Sequence, residues 1–416
     1  MKGNLLTYAV ATLLTLTACH HHEEEETDNT SERTVLVYMS GENNLSSYLA
    51  NDLKEMLMAK TDSRNDCLLA YIDEQNSRRK PYLTRIVNGM KRDSVSLYDM
   101  GISTGDVCSA DPAVMRAIIN YAFRKYPSRT GDYGLVLWGH ATGWVIEDDS
   151  VARKTATTTA AARSPQRAYG VDMGSDILGA KMAWMNIASM AEALSQVPHL
   201  KFIFADCCNF QCLESLYALR HVADYIIGSP AEIPDVGAPY QTVVPAMFER
   251  DSFYTHIIDR YHERWYGDNR SVPLSAVKTS AMDSLADATR DVLQTMKDTL
   301  SLTPYPNVKG LIHYYRTPLH HDANDFIMSY AKQEEYEKWK KALDKAVVYK
   351  KMATRWVTDS DWYFNYSDFT MTEERYGGVS MFVPINPTVK TDYGRYNAVI
   401  RKTAWYYAVG LNNLGW

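Results

Sequence analysis

Tyr133-Gly134-Leu135-Val136-Leu137-Trp138 is a near-continuous apolar run, and Gly139-His140-Ala141-Thr142-Gly143-Trp144 follows it at once. A strand apolar on both faces must be covered on both, as in the middle of a largely parallel sheet. Lys201–Ala205 (KFIFA) repeats the pattern and runs into Asp206-Cys207-Cys208-Asn209. Outward from these two runs, Thr34–Met39, Cys67–Ile72, Tyr82–Val87 and Tyr225–Gly228 read as further strands. Helical patterns lie between them. Leu45–Met58 carries Leu49, Leu53, Met56 and Leu57 on one face. Asp111–Tyr126 has Pro112 in its first turn and Val114, Ile118, Tyr121 and Ala122 as an inner stripe. Ile187–Ser195 and Cys212–Leu219 follow. Strands alternating with helices predict an α/β layered domain whose site lies at the carboxyl ends of the strands. His140 stands two residues past one such end, and Cys208 three past another.

Two stretches break the alternation. Glu147–Ala168 is polar and rich in Ala and Thr, and a loop of that length inside a compact domain is either functional or disordered. From about Ser271 the chain turns mainly helical, with Ala281–Thr299 and Glu334–Tyr349 the clearest helices. It returns to a strand at Gly378–Val383 and ends in an aromatic helix near Tyr393–Val409. The expected organisation is a core over 33–270 and a mainly helical C-terminal elaboration over 271–416 that completes the fold.

The N-terminus has a separate role. Lys2 precedes an apolar run from Leu5 to Leu16, too short to span a bilayer and laid out as a secretory signal. Its end, Leu16-Thr17-Ala18-Cys19, resembles a bacterial lipobox, which implies removal of residues 1–18 and lipid attachment at Cys19; an ordinary cleaved signal is the alternative. Residues 19–32 then read as a solvated acidic tether with no apolar residue to bury. The acidic run behind Cys19 resembles the surface-export signal of Bacteroidetes lipoproteins. The expectation is an exported lipoprotein, held at the outer membrane or cell surface of a Gram-negative bacterium. A net charge of −6 with no basic stripe argues against a nucleic-acid partner. Without Cys19 five cysteines remain, an odd number with no metal or redox spacing, so at least one thiol is free.

The chemistry-bearing residues are His140, flanked by small residues after one strand, and Cys208 in the same place after another. A cysteine nucleophile needs a histidine to manage protons and backbone amides to hold an oxyanion. On spacing alone, His140 also fits a hydrogen-bonded loop histidine, and the cysteines fit small buried apolar residues.

The blocks VYMSGENNL (Val37–Leu45), LVLWGHATGW (Leu135–Trp144), DCCNFQCLE (Asp206–Glu214) and DYIIGSPAEIPDVGAPY (Asp224–Tyr240) occur in order and resemble those of the clostripain family. The resemblance implies a caspase-like fold, a mostly parallel sheet between helices, and a cysteine endopeptidase acting on proteins or peptides. It places the catalytic pair on His140 and Cys208, and the oxyanion hole on the backbone of Ala141 and Cys208. Asp206 falls on the acid at the base of the family's S1 pocket, where it pairs with P1 Arg or Lys; a loop-bracing or helix-capping carboxylate is the other reading. Ala141 stands where the family usually has glycine, and Asn209 replaces an apolar residue. Val236 stands where some members carry a second pocket acid, with Glu232 and Asp235 close by. Members are commonly zymogens cut between the histidine and cysteine blocks. That implies a processing site in 147–168, at Lys154 or at Arg153, with Arg163 and Arg167 also available; a plain flexible linker is the alternative. The reaction implied needs no cofactor. Calcium is required in parts of the family, but no EF-hand loop is present and no metal ligands are assigned. Two other functions stay open, a catalytically silent surface binding lipoprotein and a structural lipoprotein.

Overall fold

The computed structural model describes residues 29–75, 79–145, 169–174, 183–265, 270–299, 305–315, 319–356, 368–388 and 393–416. Cys19, Arg153, Lys154, Arg163 and Arg167 lie outside the described residues. In chain order the strands are β1 (Ser31–Gly41), β2 (Asp66–Glu74), β3 (Tyr82–Val87), β4 (Met90–Ser96), β5 (Ser128–Trp138), β6 (Tyr169–Asp172), β7 (Ala183–Met185), β8 (Leu200–Asp206), β9 (Ala223–Gly228), β10 (Arg270–Ser271), β11 (Leu274–Lys278), β12 (His321–Asp322), β13 (Val347–Lys351), β14 (Arg355–Trp356) and β15 (Ser380–Met381).

Nine of them form one sheet in the order β13-β11-β9-β8-β5-β1-β2-β3-β4. The five central strands, from β9 to β2, are mutually parallel, and antiparallel strands finish both sides. Val35 to Met39 in β1 are all fully buried. Val35, Val37 and Met39 pack into one apolar cluster, while Leu36 and Tyr38 pack into another on the opposite face. That is the burial pattern of a sheet covered on both sides, as the apolar runs predict. Helix α1 (Ser46–Met58), Tyr240–Met247 and Phe253–Arg264 supply one cover. Helices α2 (Pro112–Lys125) and α3 (Ile187–Leu194) and the helix Met282–Thr299 supply the other. In α2 the Asp111 side chain accepts from the Ala113 N–H at 2.7 Å, a cap beside the first-turn proline. Its buried stripe is Met115, Ile118, Ile119, Ala122 and Phe123, rotated from the expected one, with Val114 and Tyr121 at its margin.

The C-terminal part corrects two sequence expectations. The helix over Glu334–Tyr349 stops at Ala346, and β13 begins at Val347, where consecutive β-branched residues favour a strand. The strand over Gly378–Val383 shrinks to β15, paired with β12 rather than with the main sheet. Strands β11 and β13 extend the main sheet, so the chain after residue 271 returns to it twice. The strand order has a further property. Every main-sheet strand before residue 146 lies on one side of the β5–β8 ladder, and every one after it on the other. Among the described residues no helix is long and apolar enough to cross a membrane.

Candidate active site

Parallel pairing of β5 with β8 sets Trp138 opposite Asp206. His140 and Cys208 are each two residues beyond that pair, so adjacent strands deliver both side chains to one edge of the sheet. Both line a cavity of about 250 Å³ with Asn44, Trp138, Asp206, Glu232, Ile233 and Asp235 among others.

The Cys208 thiol is partly buried. Its sulfur lies 3.4 Å from the Ile233 N–H and 3.8 Å from the Ile233 carbonyl. Burial first, and then the Glu232 carboxylate, push it up to about 12, so the resting sulfur carries its proton at neutral pH. The neighbouring Cys207 is buried in the core. His140 places Nε2 2.8 Å from Asn44 Oδ1. An amide oxygen only accepts, so this contact needs the proton on Nε2 and leaves the ring's lone pair on Nδ1. Burial lowers His140 to about 4, against an opposing pull from Asp235, so the ring is neutral at pH 7. The resting pair is therefore thiol and imidazole, with neither group charged.

Ala141 is absent from the positive-φ positions, which in this loop are Gly139 (142°) and Gly143 (73°). A glycine is thus not required at 141. Gly170 N–H donates to the His140 carbonyl at 2.7 Å, closing the bridge between Ala141 and Tyr169. No hydrogen bond among the described residues takes up the N–H of Ala141 or of Cys208. Asn209 takes φ 55°, a left-handed conformation that Asn tolerates better than an apolar side chain.

Asp206 is 3% exposed and lines the cavity. The Ala238 N–H donates to both its oxygens at 3.2 and 3.1 Å, Tyr240 to Oδ2 at 2.8 Å and Tyr261 to Oδ1 at 3.1 Å. The carboxylate both braces the Gly237–Tyr240 segment and lines the cavity, so the two readings of Asp206 are not exclusive. Burial raises it above the usual carboxylate range, against the pull of those donors. Glu232 and Asp235 line the same cavity, whereas Val236 lines a separate one behind α1.

Two residues here were not singled out in the sequence. Asn44 contacts the histidine. Asp52 is 2% exposed and accepts from Trp138 Nε1 at 2.6 Å. A Cβ on Gly237 would lie 2.8 Å from Asp206 Oδ2 and 3.4 Å from Asp52 Oδ2, so the two carboxylates share one small space. The signal for Asp52 was an acid on the apolar face of α1, between Leu49 and Met56.

Comparison with known proteins agrees with this geometry. The family model described as the clostripain family matches residues 37–413. A secreted C11 cysteine protease from Bacteroides thetaiotaomicron, solved with an irreversible peptide inhibitor, is similar at TM-score 0.70 and 27% identity over 92% of this chain and 100% of its own. An inactive zymogen C11 protease from Parabacteroides distasonis gives 0.70 and 28%, over 91% and 98%. No curated protein matches. With a caspase-like layered sheet and a cysteine and a histidine at adjacent strand ends, the chain belongs to the clostripain family and is a cysteine-type peptidase.

Proposed function

We propose that the chain is an exported endopeptidase that cleaves after Arg or Lys, with Cys208 as nucleophile and His140 as its proton-transfer partner. The observation that carries this reading is a cavity in which the thiol and the imidazole face three carboxylates, those of Asp206, Glu232 and Asp235. A P1 guanidinium or ammonium entering it meets carboxylates, which favour a cation over an uncharged side chain. Because the resting pair is neutral, the reaction starts with proton transfer. The imidazole lone pair takes the Cys208 proton as sulfur bonds to the scissile carbonyl carbon. The Ala141 and Cys208 N–H groups receive the oxyanion. The proton then passes from His140 to the leaving amine, the C–N bond breaks, and water hydrolyses the thioester to return the thiol.

Export rests on the signal-like stretch ending at Cys19 and on the similar B. thetaiotaomicron protease, described as secreted. Lipidation of Cys19 would tether the enzyme to the outer membrane. Self-processing at Lys154, or at Arg153, rests on the basic residues of 147–168 and on the zymogen described for the P. distasonis relative. The deciding experiment is labelling with a thiol-reactive peptide carrying P1 Arg. Modification of Cys208 that free Arg-amide competes away supports the peptidase. Absence of labelling in the cleaved, lipid-free protein favours a silent binding lipoprotein.

A further inference from the structure

The C-terminal part of the chain reaches back to the active site through β12 and β15, which pair with each other. Ser380 in β15 forms a bridge with Cys212, and its N–H donates to the Gln211 carbonyl at 3.0 Å. Phe382 N–H donates to Glu214 Oε1 at 2.8 Å. These contacts fix the strand pair to the segment that follows Cys208. His320, the residue before β12, crosses to the other loop. It is 1% exposed and donates to the carbonyl of Thr142, two residues after His140. Its Nδ1 has no hydrogen-bond partner, so the donor is Nε2. Burial lowers the ring to about 4, and at pH 7 it is a neutral imidazole with one N–H to give.

The two loops and this histidine meet at Gly143. A Cβ there would lie 2.5 Å from the Asn209 carbonyl oxygen, 2.9 Å from Cys212 Sγ and 3.1 Å from His320 Cε1. The histidine loop, the cysteine segment and His320 are therefore close-packed around a residue without a side chain. Ala141 is held on both sides: Gly170 N–H holds the His140 carbonyl before it, and His320 holds the Thr142 carbonyl after it. A buried ring with a single partner adds little to stability, since an apolar ring fills such a space without desolvating two nitrogens. The imidazole adds a direction instead.

We propose that His320 is a positioning residue for the catalytic pair: by donating to the Thr142 carbonyl it sets the path of the loop that carries His140 and the Ala141 N–H, and ties that loop to the cysteine segment. The inference rests on the peptidase reading. Without the hydrogen bond the backbone from Ala141 to Gly143 relaxes, and the imidazole and the Ala141 N–H lose their alignment with Cys208. The transition state then suffers more than substrate binding, because the acids that receive P1 stand on β8 and on the 232–235 segment. His320 also lies beyond the proposed cut, so the C-terminal fragment braces a histidine that belongs to the N-terminal one.

The test compares, in the full chain, His320→Phe, which keeps a ring and removes the donor, with His320→Gln, which returns an N–H at similar reach. On an Arg-amide substrate kcat of His320→Phe falls about tenfold or more while KM stays within about threefold, and the melting temperature stays close to wild type. His320→Gln recovers most of kcat. Hydrogen exchange across residues 139–145 reads the loop directly and needs no activity. It quickens about tenfold or more in His320→Phe and returns toward wild type in His320→Gln. If Phe prevents folding, His320→Leu takes its place. A wild-type protein without hydrolysis removes the peptidase reading, while the exchange comparison still decides what His320 holds. Unchanged kcat beside an active wild type, or unchanged exchange, overturns the inference. So does a His320→Gln protein as slow as His320→Phe, which would leave packing as the ring's only role.

Discussion

Cys207 and Cys208 are neighbours that the backbone sends to different places, one into the core and one into the cavity. Cys208→Ala and His140→Ala should each lower kcat/KM for Arg-amide substrates by at least about a thousandfold, with circular dichroism unchanged. Cys207→Ala should keep kcat within a few-fold and cost about 1 kcal/mol of stability for its small cavity. Inactivity of Cys207→Ala beside an active Cys208→Ala would put the nucleophile one residue earlier. Asp206→Ala should lose about 2 kcal/mol or more of kcat/KM on basic P1 substrates, the scale for unpairing a buried charge. Because Tyr240 and Tyr261 also lean on this carboxylate, the comparison needs an uncharged P1 substrate and a melting curve; equal loss on both substrates would assign Asp206 to bracing alone. The histidine and cysteine stood out because each follows an apolar run near a strand end, and the clostripain-like blocks named them as the pair. Asn44 was not, since nothing local marks an exposed Asn as lying against a ring 96 positions away.

At the scale of elements, β4 shows where apolar patterning gives out. Its sequence, MKRDSVS, is charged and mostly exposed because it closes the sheet edge, where polar residues discourage further pairing. Helix α1 shows the reverse case, a buried acid on an apolar face. Burial and the nearby Asp206 raise Asp52 to about 8. With an unfolded value near 3.8, the folded state alone keeps this proton between those limits. Stability should thus fall as pH rises through that window, by up to about 1.4 kcal/mol per unit from this one group. Asp52→Asn should flatten the fall, read as denaturant midpoints at pH 5, 6 and 7. Parallel profiles would mean that Asp52 is ionised in the fold. The loop after β5 depends on glycine more strictly. A Cβ at Gly143 would stand 2.5 Å from the Asn209 carbonyl oxygen at φ 73°, so Gly143→Ala should lower both the melting temperature and activity, whereas Ala141→Gly leaves the loop's path unchanged.

For the whole molecule, a cut at Lys154 would leave five main-sheet strands on one fragment and four on the other, joined along β5–β8. Parallel ladders buried on both faces do not open to water readily, so the halves should co-elute on gel filtration and part only in denaturant. Wild-type protein should mature this way, while Cys208→Ala stays whole. A Cys208→Ala protein that is still cut when purified alone would remove self-processing. The α/β class was readable from the alternation of runs, but the return of β11 and β13 to the sheet was not, because strands of only five residues beside long helices carry no distinctive period. The same strand order leaves His140 on one half and Cys208 on the other. Neither half can act alone, and activity becomes a measure of reassembly. If His140→Ala and Cys208→Ala proteins, each produced as two separate chains divided after Lys154, are mixed in denaturant and refolded, each supplies the half the other lacks, and up to about a quarter of wild-type turnover should return by subunit exchange under random pairing.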